Sequence, residues 1–329
     1  MAVTIPTRPR SKVLLAIQIT FTVICLYFVV RNVDWQTLMH SFAHVNVALL
    51  VGGVIVLALQ PGIAALRWSV ITSALGGKVS LRESAMLTYV SMFFNQALPA
   101  SVGGDAIKIL LMHRGHHPLR LAFNSTTLDR AAMLFGLLFI VLLCGAILHP
   151  ALSGTAILPV LIAVAVIAGA IAVFAADRIP GRLLERRVFR ILSAVAADIR
   201  LLLLNPVAML KLIVLVALSY ALMSISICVF VRALSEPLDL WVGLALVPAV
   251  LLASALPISV GGWGAREAAM IAILGTVGVS ASGAVAASII FGLSSAFVLA
   301  PGVIVYLFKY RATNSLAEGS KQKAGLQEI

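Results

Sequence analysis

Charged residues are scarce in this sequence: they make up 11% of its 329 residues, against about 25% in soluble domains. Hydrophobic residues account for 61%, and the mean hydropathy is +1.09. So few polar side chains cannot cover the surface of a water-exposed globule of this length. The composition therefore excludes an ordinary soluble protein and predicts a polytopic membrane protein.

Acidic residues are scarcer still: 12 Asp and Glu stand against 24 Lys and Arg, a formal net charge of +12. A basic excess can indicate nucleic-acid binding. In a membrane protein it more often reflects basic cytoplasmic loops and contact with anionic lipid headgroups. We therefore expect membrane lipids, and no nucleic acid, as partners.

The sequence also lacks the usual arrangements for metal, nucleotide or hydrolytic chemistry. Its three cysteines lie far apart, each within an apolar run, and so indicate neither a disulfide framework nor a zinc site. His113 and His117 are spaced like metal ligands on a helix, but they lack the glutamate of a His-Glu-x-x-His site. No P-loop is present, and neither Ser101 nor Ser259 has the histidine and aspartate of a hydrolase triad nearby. We therefore expect no cofactor, no ATP-driven step and no enzyme activity.

Long apolar runs are what the sequence has in abundance. Six approach the roughly 20 residues that cross a bilayer as a helix: residues 13–30, 47–66, 131–148, 157–176, 208–231 and 283–308. Two shorter apolar stretches, 84–98 and 240–256, each stop at a proline that paired glycines follow. The predicted fold is all-α, with about six transmembrane helices.

The basic residues predict how the two short stretches lie. If each enters the membrane and returns with the next helix as a re-entrant hairpin, six spans remain and both termini are cytoplasmic. All Lys and Arg residues but Arg31, Arg232 and Arg266 then lie on the cytoplasmic side, as the positive-inside rule favours. Eight full crossings would place the arginine-rich stretch 178–200 outside. Because non-helical backbone at membrane depth must face protein or a water-filled cavity, the hairpins should line a site.

Residues 1–311 are predicted to form one transmembrane domain in the cell (plasma or inner) membrane, followed by a disordered cytoplasmic tail over residues 312–329. Within the domain, arginines recur every four residues from Arg178 to Arg190, with apolar residues alongside. The pattern predicts an amphipathic helix on the cytoplasmic membrane surface. A charge cluster that only sets the topology is an equally good interpretation.

An eight-residue sequence occurs twice. ALPASVGG at residues 97–104 recurs as ALPISVGG at residues 255–262, with seven of eight positions identical at an offset of 158. The same offset places Lys108 opposite Arg266. A match of Pro, Ser and two glycines in order indicates an internal duplication. With six spans, one copy enters from the cytoplasm and the other from outside, so the repeats are inverted, as in many secondary transporters.

Each repeat combines the features of an anion site. Proline ends the incoming helix, glycines allow a close backbone approach, and the next helix begins with free N–H groups at its positive dipole end. Lys108 and Arg266, one turn further on, would add a full positive charge. Alternatively, Pro-Gly-Gly only closes a hairpin, and the neighbouring charges form interfacial salt bridges.

These residues carry a resemblance to a known family. LPASVGGDAIK at residues 98–108, with Asp129-Arg130 after it, resembles the first signature of the lysylphosphatidylglycerol synthase transmembrane (flippase-like) family. LPISVGGWGARE at residues 256–267 resembles the second, and Arg67-Trp68 also fits. Lys108 departs from the usual arginine, and Asp129 from the more common glutamate. Both keep the charge, although lysine gives up bidentate phosphate geometry.

The resemblance covers roughly residues 10–310 and implies a role in moving polar lipids, which we expect to take place in a bacterial inner membrane. The family includes the flippase half of enzymes that make and export aminoacylated phosphatidylglycerol. The catalytic half of those enzymes has no counterpart in these 329 residues, so the resemblance does not imply aminoacyl transfer.

The main hypothesis is a translocase that moves a polar or anionic lipid between leaflets. The residues predicted to bind the headgroup are Gly103, Gly104, Lys108, Arg130, Gly261, Gly262 and Arg266. Those predicted to balance these charges or line the cavity are Asn95, Gln96, Asp105, Asp129, Trp263 and Glu267. The alternative is a non-transporting accessory or scaffold protein for a lipid-modifying enzyme or glycosyltransferase, with its function in residues 178–200. A transporter of a soluble substrate would share the architecture.

Overall fold

The computed structural model describes residues 34–97, 103–148, 196–255 and 264–311, together with the isolated residues 20, 24, 27 and 31. Within these ranges the secondary structure is helical and contains no strand, which confirms the predicted all-α class. The predicted spans 157–176 and most of 13–30, the tail 312–329 and both hairpin tips lie outside the described residues.

Besides a helical stretch over residues 196–203, the described ranges contain ten α-helices with both ends described, most of them joined by short turns. They are α1 (Trp35–Ala43), α2 (Val47–Ala74), α3 (Leu81–Ala97), α4 (Gly103–Arg114), α5 (Leu119–Leu148), α6 (Pro206–Ala233), α7 (Leu240–Ala255), α8 (Ala265–Leu274), α9 (Ala281–Leu299) and α10 (Pro301–Val305). A short 3-10 turn, Gly275–Val277, follows α8, and a π-helical turn, Tyr306–Arg311, ends the described chain.

Four helical segments in the described ranges are long and apolar enough to cross a membrane: Val47–Ala74, Leu119–Gly145, Pro206–Ala233 and Ala281–Phe308. They coincide with four of the six predicted spans. Two of them run well beyond the apolar sequence, since α2 continues through Arg67 and α5 begins before Asp129 and Arg130. These charged residues therefore lie within membrane-length helices and not in the loops that flank them.

The helices of the second half repeat those of the first in order and in length. Helices α2 and α6 have 28 residues each, α3 and α7 have 17 and 16, and α4 and α8 have 12 and 10. Even the caps match: Asn46 accepts a hydrogen bond from the backbone N–H of Leu49, and Asn205 accepts one from that of Ala208. The correspondence in helix order and length therefore covers three consecutive helices in each half.

The equivalent helices α2 and α6 pack against each other in opposite directions. The backbone N–H of Asn46, before α2, donates to the carbonyl oxygen of Ala233 at the end of α6, at 2.8 Å. At the other end, Ser73 and Asn205 line one groove. We refer to the two ends of the bundle as the Asn46 end and the Lys78 end.

Small residues let the long helices approach closely, as is usual in membrane proteins. A Cβ on Gly53 of α2 would overlap the ring of Phe230, and one on Gly136 of α5 would overlap Val216; both partners lie on α6. Cys228, also on α6, is buried against Gly243 of α7 as a free thiol. The core therefore forms around α6.

Helices α3 and α4 form a hairpin with both ends at the Lys78 end. Lys108 contacts Thr88, and His117, just after α4, lies 3.4 Å from Glu83 in the first turn of α3. The second hairpin, α7 and α8, has both ends at the Asn46 end. There Glu236, between α6 and α7, accepts a hydrogen bond of 2.9 Å from the backbone N–H of Ser280, between α8 and α9.

Gly104 sets the closest approach within the first hairpin. A Cβ at this position would overlap the backbone carbonyl oxygen of Ser91 on α3. The backbone cannot move aside cheaply, so any larger residue must separate the two helices.

We expect Gly104→Ala to lower the thermal unfolding midpoint of the purified protein, with a loss of about 1–3 kcal/mol from overpacking. Gly52→Ala is the matched control, because nothing lies within 4 Å of a Cβ placed there. Alanine should leave that helix unchanged or slightly more stable. Equal midpoints for the two variants would contradict the close contact between α3 and α4.

Candidate functional site: two buried charge clusters

Five ionisable side chains converge near the Lys78 end, from three different helices. We call them the first cluster: Arg67 on α2, Asp105 and Lys108 on α4, and Asp129 and Arg130 on α5. Arg67 lies seven residues before the end of α2, about 10 Å along its axis, and Asp129 lies ten residues into α5, about 15 Å. The cluster therefore sits inside the bundle and not in its loops.

Arg67 and Asp129 form a two-bond ion pair between α2 and α5. Arg67 Nε donates to Asp129 Oδ1 at 2.7 Å and Nη2 to Oδ2 at 3.1 Å. Its third nitrogen, Nη1, donates to the hydroxyl of Ser219 on α6 at 2.9 Å. Both side chains are largely buried, at 5% and 16% exposed. One guanidinium group thus holds three membrane-length helices together.

Asp105 receives four hydrogen bonds and so leaves little capacity for a ligand. Arg130 donates to it through Nε at 2.6 Å and Nη2 at 2.9 Å, and Ser91 and Asn95 on α3 each donate at 3.2 Å. Asp105 is buried, whereas the side chain of Arg130 is 55% exposed. Arg130 therefore neutralises the charge of Asp105, while part of its side chain remains exposed.

Lys108 is buried, and no carboxylate among the described residues forms a direct ion pair with it. Its Nζ donates to the hydroxyl of Thr88 at 3.2 Å and lies 3.8 Å from the centre of the Trp68 ring, a cation–π contact. Among the described residues, no carboxylate lies within salt-bridge distance of Lys108, although Asp129 and Asp105 act on it from further away. Lys108 is thus the cation of the first cluster that lacks a direct ion pair.

The second hairpin carries a smaller cluster near the Asn46 end, formed by Arg266, Glu267 and Ser288. Arg266 Nε donates to the Ser288 hydroxyl at 2.7 Å, and its Nη2 donates to Glu267 Oε1 at 3.0 Å. The Ser288 hydroxyl donates to the same Glu267 oxygen at 2.6 Å. Oε2 of Glu267 accepts from the backbone N–H of Gly264, at 2.6 Å. The charges of this second cluster balance each other.

Gly264 is a position that requires glycine. Its φ of +83° lies in the left-handed region, and this turn directs its N–H to the Glu267 carboxylate at the start of α8.

Lys108 and Arg266, which the offset of 158 relates, have matching surroundings. Each donates to a hydroxyl group on a neighbouring helix, Thr88 or Ser288. Each also lies over an aromatic ring: Arg266 is 5.5 Å from the centre of the Phe291 ring. The difference is the carboxylate beside Arg266.

The structure brings together most of the predicted residues of the first hairpin and gives Gly104 a defined role. Its backbone N–H donates to Asn95 Oδ1 at 2.9 Å, so this amide is engaged within the hairpin and is not a free donor. Gln96 is half-buried near the end of α3, and Gly103 is the first residue of α4. Gly261, Gly262 and Trp263 lie outside the described residues.

Sequence reasoning did not identify several partners of these charges. Thr88, Ser219 and Ser288 sit in apolar helices, where nothing in the sequence distinguishes them from packing residues. The family resemblance alone indicates a role for Trp68 and links it to Arg67. A charged residue directly after an apolar run was the available signal for Arg67, and it was interpreted as the end of a span.

Four membrane-length apolar helices and two pairs of shorter helices that carry charged side chains are consistent with a polytopic membrane protein. The family model described as "Lysylphosphatidylglycerol synthase TM region" matches residues 13–302, and the chain belongs to this family. The resemblance seen in the sequence is thereby confirmed. A comparison with curated proteins gave no match.

We expect Arg67→Met and Asp129→Leu each to destabilise the protein strongly, by about 3–5 kcal/mol, because each leaves the partner charge buried alone. The double variant should lose much less than the sum of the two losses. Thermal unfolding of the four proteins in one detergent measures this coupling. Additive losses would show that the two side chains do not depend on each other.

Proposed function

We propose that this protein moves a polar or anionic lipid between the leaflets of the cell membrane, without ATP and without covalent chemistry on the lipid. The observation that carries the proposal is the cluster of three cations and two carboxylates, all but Arg130 largely buried, one to three turns inside an apolar helix bundle. Ionisable groups at such depth are costly and are usually paired or functional. Four of these five charges pair with one another; Lys108 does not.

The arrangement of the hairpins supports a translocation role. The first hairpin opens at the Lys78 end and the second at the Asn46 end, while the equivalent helices α2 and α6 run antiparallel. We take these as inverted, re-entrant repeats, with the Lys78 end and both termini in the cytoplasm. In many secondary transporters, such repeats place a site near the midplane and expose it to each side in turn.

The exposed side of Arg130 favours a lipid over a soluble substrate. Leu134 lies one turn further along α5 and is 44% exposed, and Phe123, two turns before Arg130, is 42% exposed. Within the described ranges, Arg130 therefore shares a helix face with apolar side chains that suit contact with acyl chains. A headgroup could meet the guanidinium while its acyl chains remain in the bilayer.

A second candidate function is a scaffold for a lipid-modifying enzyme, and one contact favours it. Asp198, near the C-terminal end of the arginine-rich stretch 178–200, is buried and accepts hydrogen bonds from Asn124 and Arg120 in the first turns of α5. The described end of this stretch thus contacts α5, and residues 178–200 would then present their arginines to a partner. In this case the hairpin charges would be structural only.

Leaflet exchange of a fluorescent phospholipid in reconstituted vesicles tests the main proposal. Wild-type protein should accelerate exchange over protein-free vesicles. Lys108→Ala and Arg266→Ala should each slow it by about tenfold, as expected from the loss of one charged contact worth about 1.4 kcal/mol in the transition state. Exchange equal to that of protein-free vesicles, with anionic and zwitterionic lipids alike, would rule out translocation.

Lys78→Ala is the matched control, since Lys78 is an exposed lysine in the turn between α2 and α3. Its exchange rate should equal that of the wild type. Neutral substitutions at Arg182, Arg186 and Arg190 separate the two candidates. If they abolish complementation in cells while exchange in vesicles is unchanged, the scaffold role is supported; if they leave both unchanged, the scaffold role fails.

A further inference from the structure

The two hairpins differ in net charge, although they share a repeat. The first cluster contains three cations and two carboxylates, so it keeps one positive charge. The second contains Arg266 and Glu267, which neutralise each other. The hairpin tips cannot alter these sums, because residues 98–102 and 256–263 include no ionisable side chain.

The surplus charge is located at Lys108. Arg67 is paired with Asp129, and Arg130 with Asp105, each through two hydrogen bonds. Lys108 is only 4% exposed, and its ammonium group carries three N–H donors, of which Thr88 takes one. An uncompensated charge at this burial is costly unless an anion joins it.

Trp68 supplies a second donor beside this charge. The indole is fully buried, and its Nε1–H has no hydrogen-bond partner among the described residues. Buried tryptophan N–H groups usually have a partner. The ring centre is 3.8 Å from Lys108 Nζ, so the unpartnered N–H lies at the edge of the same ring that the ammonium group covers.

We infer that Lys108 and Trp68 together form the binding seat for one phosphate anion carrying a single negative charge, such as the phosphodiester of an anionic phospholipid. The ammonium group supplies the charge and a remaining N–H donor, and the indole N–H supplies another. The inference deepens the proposed function, and it rests on that function only for a lipid as the source of the phosphate.

The charge balance specifies the class of headgroup. One phosphodiester charge neutralises the first cluster, whereas a zwitterionic headgroup also carries a cation into a site that already has a positive surplus. The seat should therefore prefer phosphatidylglycerol over phosphatidylcholine. The second cluster offers no comparable surplus, because the Arg266 guanidinium already contacts the Glu267 carboxylate. The two halves should accordingly differ in their headgroup selectivity.

Binding to the purified full-length protein tests the seat. The probes are dioctanoyl-phosphatidylglycerol, dioctanoyl-phosphatidylcholine and inorganic phosphate, each titrated in one detergent. We expect phosphatidylglycerol to bind about tenfold more tightly than phosphatidylcholine, as one charge-assisted contact allows. Lys108→Met should abolish this preference, and Lys108→Arg should keep it. Trp68→Phe, which retains an aromatic face but lacks the N–H, should weaken phosphatidylglycerol binding about three- to tenfold.

Lys78→Met is the control and should bind both lipids as the wild type does. A well-folded Lys108→Met protein, judged by its elution profile and unfolding midpoint, that still prefers phosphatidylglycerol overturns the inference. If Lys108→Met does not fold, the wild type and Lys108→Arg serve as the test instead. A preference for phosphatidylglycerol in both proteins supports the inference, and the absence of this preference overturns it. Inorganic phosphate is tested as a competitor of phosphatidylglycerol for the wild-type protein. If this competition is lost in Lys108→Met, the seat also binds a free phosphate anion; if it is unchanged in Lys108→Met, the inference is contradicted.

The outcomes separate this inference from the proposed function. A lysine-dependent preference in a protein that does not accelerate leaflet exchange refutes translocation and supports the seat. Exchange that persists with no headgroup preference in either the wild type or Lys108→Met supports translocation and refutes the seat.

Discussion

Ionisable side chains inside an apolar helix bundle must find their partners within it, because lipid hydrocarbon offers none. The contacts of the first cluster follow from this constraint. Arg67 joins α2, α5 and α6 by pairing with Asp129 and Ser219, and Asp105 joins α4 to α3 and α5. The charged side chains, whose burial costs free energy, therefore also hold the surrounding helices in position.

Close helix packing is the second requirement, and glycine provides it. Gly104 lets α4 approach the backbone of α3, which brings Asp105 within reach of Ser91 and Asn95. In the second hairpin, the left-handed turn at Gly264 directs its N–H to Glu267. Both repeats thus use a glycine to place a carboxylate at the start of the second hairpin helix. Only the first leaves a lysine without a direct acid partner.

Much of the fold could be predicted from the sequence, because apolar runs and the repeat are local signals. Which charge pairs with which could not be, as Asp129 and Arg130 illustrate. They are neighbours in the sequence, yet successive helical residues point about 100° apart, so Asp129 contacts Arg67 and Arg130 contacts Asp105. One predicted span ended at residue 66 and another began at residue 131, so they left out Arg67, Asp129 and Arg130. These charged residues lie within membrane-length helices because they pair with charges on other helices.

The central claim is that the two hairpins enter the membrane from opposite sides and return. Single cysteines in a cysteine-free protein, labelled with a membrane-impermeant maleimide in oriented vesicles, test it directly. Exposed positions flank each hairpin: Lys78 and Arg114 the first, Pro237 and Thr276 the second. Lys78→Cys and Arg114→Cys should be labelled from the cytoplasmic side, and Pro237→Cys and Thr276→Cys from the other. Labelling of Lys78→Cys and Arg114→Cys from opposite sides would contradict the account, because the first hairpin would then cross the membrane.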